Sequence, residues 1–235
     1  MLENRKQIQK EIYLPIATYC LKDKQYYKDK QYYIKEYGAL LIKSAENSDI
    51  FNTHKNRILY KNKLDIQEIA NELNVNKATI QRNIKKLEKL DFKILKIENT
   101  LNGIVYCLPS ENNIDLNKFA LINYEMLKKM VNKFKSNTIK VYFLLKTITT
   151  ETNFKPATNS FIAENIGLSS KSKNNLDIIT SSVKTLEENK YIETKKVNVY
   201  EYDKEKLREV PKIRKVYRIC NFDEWKKEID KNKVY

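Results

Sequence analysis

Apolar residues recur every three to four positions in residues 64–95, and this pattern predicts two consecutive helices. The apolar positions at helical spacing are Ile66, Ile69, Ala70, Leu73, Ile80, Ile84 and Leu87. Asp65 and Asn76 are suited to cap the two helices, and Glu68 forms a capping box with Asp65. Asn74 tolerates the positive φ of a helix end. A short helix, a tight turn and a second helix are the layout of a helix-turn-helix.

Two β-prone runs follow the second predicted helix. They read KILKIE and IVYCL, and NTLNG separates them. Asn102-Gly103 supplies the positive φ that a hairpin turn requires. A hairpin directly after a helix-turn-helix predicts a winged helix.

The same layout recurs further along the chain when Ile162-Ala163 is set over Ile69-Ala70. Thr158 and Ser169 then occupy the two N-cap positions, and Gly167 occupies the position of positive φ. Six extra residues around KSKNNL predict a longer loop before the second helix. The core pattern then resumes at Ile179, Val183, Leu186 and Tyr191. The second wing is predicted as YIETKKVNVY and RKVYRIC, joined by the long charged loop EYDKEKLREVPKI.

The rest of the chain predicts supporting elements. FALI reads as a strand, and NYEMLKKMVNKF and SNTIKVYFLLKTITT read as helices before the second helix-turn-helix. The duplicated hexad KDKQYY extends the first helix of the chain, with Tyr26, Tyr33 and Tyr37 on one face. Trp225 anchors a C-terminal helix.

The predicted fold class is α+β, mainly α with small β-hairpin wings. Its parts are an N-terminal arm or strand (1–21), winged-helix domain 1 (22–108), a linker (109–117), winged-helix domain 2 (118–220) and the C-terminal helix (221–235).

The pattern IAxELxVxxxTIxRxIKKLEK, with the hairpin that follows it, resembles the winged helix-turn-helix superfamily of bacterial DNA-binding proteins. Two tandem copies in one chain resemble plasmid and phage replication initiators of the tandem winged-helix type, over roughly residues 32–220. The resemblance implies that two winged helices grip successive major grooves of an origin repeat. The six-residue insertion departs from a standard winged helix.

Composition excludes several classes of protein. Three glycines cannot build a glycine-rich phosphate loop, so P-loop and Rossmann nucleotide sites are excluded. The single His54 has no second histidine with which to hold a metal, as rolling-circle nucleases require, so we expect no catalytic site, no metal and no cofactor. Cys20, Cys107 and Cys220 suit reduced thiols. No run approaches about 18 apolar residues, so we expect a cytoplasmic protein without a membrane segment.

The net charge of +15 indicates a polyanionic partner, and double-stranded DNA fits it best. Near the start of a recognition helix, Arg can pair with guanine, Gln with adenine, and the Thr methyl group with thymine. The predicted DNA-contacting residues of the first copy are Asn76, Lys77, Thr79, Gln81, Arg82, Lys85, Lys86 and Asn102. Those before and within the second copy are Lys128, Lys133, Ser169, Lys171, Lys173, Thr180, Ser181, Lys184, Lys195 and Lys196. For Lys128 and Lys133, phosphate contact and a solvated helix face remain alternatives.

Charge also ranks the two copies. Residues 77–93 contain six basic and two acidic side chains, whereas residues 171–190 contain four and three. The first copy is therefore the expected stronger DNA reader.

We expect a non-enzymatic, sequence-specific DNA-binding protein, a plasmid or phage replication initiator or maintenance factor on repeated or AT-rich sites. A transcriptional regulator and an adaptor that recruits replication proteins are the alternatives, and a homodimer and replication proteins are candidate partners.

Overall fold

The computed structural model describes residues 12–21, 32–46, 57–89, 94–110, 118–203 and 208–231. Within these ranges the chain forms eight α-helices and three antiparallel sheets, an α+β architecture. Several sequence predictions lie outside the described residues. They concern Tyr26 and the hexad duplication up to residue 31, His54, and most of the predicted linker.

The helices are α1 (Ile34–Lys43), α2 (Ile66–Leu73), α3 (Lys77–Glu88), α4 (Tyr124–Lys133), α5 (Ser136–Ile148), α6 (Asn159–Asn165), α7 (Lys173–Glu188) and α8 (Phe222–Lys231). The strands are β1 (Tyr13–Ala17), β2 (Ala45–Glu46), β3 (Arg57–Tyr60), β4 (Lys96–Thr100), β5 (Gly103–Leu108), β6 (Phe119–Asn123), β7 (Lys155–Pro156), β8 (Ile192–Asp203) and β9 (Arg208–Ile219). A 3₁₀ turn covers Lys61–Lys63.

The N-terminal segment is tied to the middle of the chain. Strand β1 pairs antiparallel with β6, with Leu14 opposite Ile122 and Ile16 opposite Ala120. Of the two readings of residues 1–21, the strand is therefore confirmed for Tyr13–Ala17. Because the side chains of β1 are mostly buried, this pairing is part of the core.

The first predicted hairpin forms as β4 and β5 and belongs to a larger sheet of order β2-β3-β5-β4. The sequence had suggested positive φ at both Asn102 and Gly103. In the turn only Gly103 of this pair has it, at φ 112°. Strand β3 was not predicted. It is fixed by the buried Arg57, whose guanidinium donates to the Ser44 hydroxyl and carbonyl at 2.9 and 2.6 Å. Arg57 thereby joins β3 to the end of α1.

The second hairpin is longer than predicted. Strands β8 and β9 are twelve residues each. Their pairing runs from Ile192 opposite Ile219 to Asp203 opposite Arg208. The segment predicted as a long charged loop is therefore mostly strand, and this prediction was wrong. Antiparallel pairing satisfies the backbone groups of both strands without burial of their side chains, so a charged sequence does not prevent it.

Helix α1 is largely buried. It packs against α3, α4 and α5 and is buried on most of its sides. The sequence had predicted Tyr33 on the face of this helix, but Tyr33 precedes the helix. The Tyr37 ring is fully buried. At Gly38 a Cβ atom would lie 2.8 Å from Val131 Cγ2, so glycine permits the close approach of α1 to α4.

The strand and two helices predicted before the second helix-turn-helix are confirmed as β6, α4 and α5. The C-terminal helix is confirmed as α8, and Trp225 is buried between Tyr191 and Phe222. One continuous cluster of buried apolar residues extends from β1 to α8. The division into two domains at the proposed boundaries stays a prediction.

Candidate nucleic-acid interface

The helix-turn-helix of the first copy forms as predicted. The Asp65 carboxylate accepts from the backbone N–H groups of Gln67 and Glu68 at 2.8 and 3.0 Å, and Asn76 accepts from Ala78 N–H at 2.8 Å. Asn74 ends α2 with φ 51°. The capping box is only half formed, because the Glu68 carboxylate lies 2.8 Å from Lys43 instead of turning back to Asp65.

Helix α3 divides cleanly into a buried and an exposed face. Ile80, Asn83, Ile84 and Leu87 are buried. The exposed side chains at the predicted reading positions are Lys77, Gln81, Arg82 and Lys85. Among the described residues these four make no ion pair, so their charges and donors are available to a ligand.

Lys86 and Thr79 lie on the flanks of α3. Lys86 Nζ donates to the Tyr33 hydroxyl at 3.0 Å and lies 5.5 Å from the centroid of the Tyr33 ring. Thr79 is half-buried, and the Asn76 side chain is engaged in its cap. Of the predicted first-copy residues, these three are the least available for contact with bases.

The β4–β5 hairpin is fixed to the end of α3 through Glu88. The Glu88 carboxylate accepts from the Tyr106 hydroxyl and from Lys61 Nζ. Burial and the nearby Glu88 raise the pKa of the Tyr106 hydroxyl well above its ordinary range. Asn102 is exposed at the turn, beside the fully exposed Leu101. The hairpin therefore has a defined position relative to α3.

The second copy repeats the local geometry of the first. Val75 N–H donates to Ala70 C=O at 2.9 Å, and Leu168 N–H donates to Ala163 C=O at 2.8 Å. Both bonds close a Schellman motif around a residue of positive φ, Asn74 in one case and Gly167 (φ 83°) in the other. Thr158 caps α6 as predicted.

Ser169 does not cap the second helix. Ser172 is the N-cap of α7, while Ser169 offers its carbonyl oxygen to the Asn175 side chain at 3.0 Å. The six extra residues move the start of the helix to Lys173, as the longer loop had suggested. Ser169 and Lys171 therefore lie in the loop before α7, where both are exposed.

The exposed face of α7 is less basic than that of α3. Lys184 lies 3.8 Å from Glu188, and the exposed Asp177 lies between Lys173 and Ser181 on the same side. The hydroxyl of Thr180 is engaged with the side chain of Asn159 and the carbonyl of Leu176. The difference in charge between the copies therefore also holds for their exposed helix faces.

The remaining predicted lysines lie on other elements. Lys133 Nζ donates to Asn189 Oδ1 at 2.6 Å, and Lys195 lies 3.3 Å from Glu193 and over the Phe154 ring. Lys128 and Lys196 are exposed and make no ion pair among the described residues. No hydrogen bond or ion pair of the described residues joins the first-copy set to the second-copy set. The DNA-contacting role of each residue stays a prediction.

Two features at or behind this surface were not predicted from the sequence. The first is a groove of about 740 Å³ beside α7, lined by Lys135 and Asn137 of the α5 start and by Asn174 and Ile178 of α7. The second is the buried pair Asn83–Glu36 behind α3. Periodicity assigns Asn83 to a buried position of α3, but the sequence offers no signal for its partner, which is 47 residues away.

No cluster of three or more His, Cys, Asp or Glu side chains that could hold a metal ion occurs in the described part of the chain. None of the helices described there combines the length and apolar character that a membrane crossing requires.

A family model described as an HTH domain matches residues 55–104. This range holds α2, α3 and most of the β4–β5 hairpin. Comparison with curated proteins and with solved structures gave no match. The described residues of this range form a helix-turn-helix, and the family match supports a DNA-binding domain here.

Proposed function

We propose that the chain binds double-stranded DNA sequence-specifically through two winged-helix units in tandem and that it is not an enzyme. The first unit comprises α2, α3 and the β4–β5 hairpin, and the second comprises α6, α7 and the β8–β9 hairpin. Support for the second unit comes from the same order of elements and from the matching Schellman motifs at Asn74 and Gly167.

The observation that carries the proposal is the exposed cationic face of α3. Lys77, Arg82 and Lys85 are exposed and, among the described residues, free of ion pairs. A guanidinium can donate two hydrogen bonds to the O6 and N7 atoms of guanine, and each neutralised phosphate releases counterions. Arg82 is therefore the proposed base reader, and the lysines are the proposed phosphate contacts.

The two units are proposed to contribute unequally. The α7 face carries Asp177 and Glu188 among its cations, so its electrostatic attraction to phosphate is weaker. Linking a weaker unit to a stronger one still raises its effective concentration at the adjacent groove. One chain then occupies an asymmetric site of about two helical turns without a symmetric partner.

Such a reader suits directly repeated sites, where every copy of the protein must face the same way. We therefore propose a cytoplasmic role in replication initiation or maintenance of a plasmid or phage, on repeated or AT-rich sites. Strand opening and synthesis then fall to recruited replication proteins, and a homodimer on neighbouring repeats belongs to the same proposal.

Selection of bound sequences from a random duplex pool tests the binding. Two unlike half-sites in direct orientation are expected, with affinity that falls steeply as salt rises from low to physiological concentration. A palindrome indicates a symmetric dimer instead. Binding without base preference contradicts sequence-specific recognition and favours the adaptor reading.

Replication of a DNA circle that lacks its own origin tests the biological role. The gene and its flanking repeats are expected to maintain the circle, and the Arg82→Ala variant is expected to lose it. If both versions fail while a nearby promoter changes its output in an Arg82-dependent manner, the protein is a transcriptional regulator.

A further inference from the structure

Helix α1 contacts the first proposed DNA-binding unit directly, and it contacts the second through α5, which packs against α7. On one side it packs against α3, and on the other it packs against α4 and α5, which support the second unit. Only Lys35, Ile42 and Lys43 of its ten residues are not buried. A helix buried on nearly every side transmits position between its neighbours, because close-packed interiors deform little.

Polar contacts fix α1 to the first unit. Glu36 Oε1 accepts from Asn83 Nδ2 of α3 at 2.6 Å, and these side chains are only 7% and 8% exposed. Lys43 Nζ lies 2.8 Å from Glu68 and 3.2 Å from Glu72, both on α2. Each helix of the first helix-turn-helix is thus held by α1 through a charged side chain.

Close backbone packing fixes α1 to the other half of the molecule. At Gly38 an added Cβ would meet Val131 Cγ2 at 2.8 Å and Leu127 Cδ1 at 3.6 Å. The first distance is shorter than any ordinary van der Waals contact, so a larger residue must push α1 and α4 apart. Val131 is branched at Cβ and cannot easily turn its methyl group away.

A further link extends this packing to α7. Helix α5 packs on α1, and its Thr138 hydroxyl donates a hydrogen bond of 3.1 Å to Ser182 Oγ of α7. Both side chains are buried. Strand β1 contacts α1 and pairs with β6, and this adds a second link between α1 and the C-terminal half of the chain. Contacts therefore run without interruption from α3 through α1 and α5 to α7.

We propose that α1 is a rigid spacer that holds the two reading helices, α3 and α7, at one separation, and that Gly38 determines which spacing between half-sites the protein accepts. This proposal rests on the proposed function. One base pair of extra spacer rotates a half-site by roughly 35° around the duplex, since a helical turn contains about 10 to 10.5 base pairs. A rigid reader must reject that change, whereas two units on a flexible linker tolerate it.

Duplexes that carry both selected half-sites with the spacer altered by up to about two base pairs test the proposal. Each half-site is also measured alone. The wild-type protein is expected to prefer one spacer by about tenfold or more over its neighbours. Gly38→Ala is expected to flatten or displace that preference while its affinity for the isolated first half-site stays within about twofold. A general loss of stability lowers both affinities together and leaves the preferred spacer unchanged.

Val131→Ala supplies the matched control. The double variant Gly38→Ala/Val131→Ala removes the methyl group that the new Cβ meets, so the wild-type spacer preference is expected to return. Val131→Ile adds one methyl group on the α4 side of the same contact. It replaces Gly38→Ala as the test variant if Gly38→Ala does not fold.

Three results overturn the proposal. The first is a wild-type affinity that is equal across all spacers, and the second is an unchanged profile in Gly38→Ala and Val131→Ile. The third is a preferred half-site that is bound equally well without its neighbour, and this result leaves only sequence-specific binding by one unit in place. If no duplex sequence is preferred at all, both proposals fail.

Discussion

Asn83 of α3 donates a hydrogen bond of 2.6 Å to Glu36 of α1, and both side chains are buried. This polar pair lies on the buried face of α3. Because a buried carboxylate without a donor costs free energy, the pair specifies the rotation of α3 about its own axis. That rotation directs Arg82 and Lys85 towards solvent.

Removing the Asn83 amide is expected to destabilise the protein. Asn83→Ala leaves the buried Glu36 carboxylate without this donor and is expected to lower the free energy of unfolding by about 1 to 3 kcal/mol. Urea denaturation followed by circular dichroism measures the change. Gln81→Ala, at an exposed position of the same helix, serves as control and is expected to change stability by less than about 0.5 kcal/mol. Equal stability of the two variants contradicts the structural role of the pair.

Arg82 and Lys128 are expected to differ in what their removal does to DNA binding. Arg82→Ala is expected to cost about 1 to 3 kcal/mol on the selected site and to relax base preference there. Lys128→Ala is expected to weaken binding to all duplexes equally and to lower the salt slope by about one. Titrations on selected and random duplexes at several salt concentrations measure both effects. The assignment of α3 as reader is wrong if Arg82→Ala loses the same affinity on both duplexes.

Lys190 adopts a strained backbone conformation after α7, with φ 59°. Its N–H donates to Glu187 C=O, and Tyr191 N–H donates to Leu186 C=O, so Lys190 holds the glycine position of a Schellman motif. Lys190→Gly is expected to raise the free energy of unfolding by up to about 1 kcal/mol. Thermal unfolding measures this gain, and Lys190→Ala, which keeps the Cβ atom, is expected to show none. A gain in the alanine variant equal to that of glycine contradicts the explanation.

Arg218 joins the base of the long hairpin to the C-terminal helix through Glu193 at 2.6 Å and Glu224 at 3.0 Å. Its hydrogen bond lowers the pKa of the Glu193 carboxyl below the ordinary value of 4.5. A carboxyl with a lowered folded-state pKa stabilises the protein above its unfolded pKa, and this contribution is lost as pH falls through the folded value. The stability difference between wild type and Arg218→Met is therefore expected to be largest near neutral pH and to shrink below about pH 4.5.

Urea unfolding over this pH range measures the difference. Lys227→Met removes an exposed cation of α8 that has no ion pair among the described residues, so its effect is expected to be independent of pH over the same range. A constant difference between wild type and Arg218→Met at all pH values counts against the Glu193 link.

The local elements of the candidate interface followed from the sequence. The apolar spacing from Ile66 to Leu87 predicted α2 and α3, and the caps at Asp65 and Asn76 and the positive φ at Asn74 formed as expected. These features depend on backbone geometry within a few residues, so a single stretch of sequence contains the information. The matching turn at Gly167 is determined in the same way.

Pairings between distant segments were decided only by the tertiary structure. Nothing in the sequence around Leu14 specifies β6 as its partner, and the alternation of charged residues after Tyr200 concealed the extension of β8 and β9. The displaced cap at Ser172 depends on how the inserted loop reaches α7. For α3 the sequence alone determined which residues face outward, because that follows from the helical period. The position of α1 against α3 and α4, through Glu36 and Gly38, was decided by packing, because complementarity between surfaces far apart in the chain has no local signal.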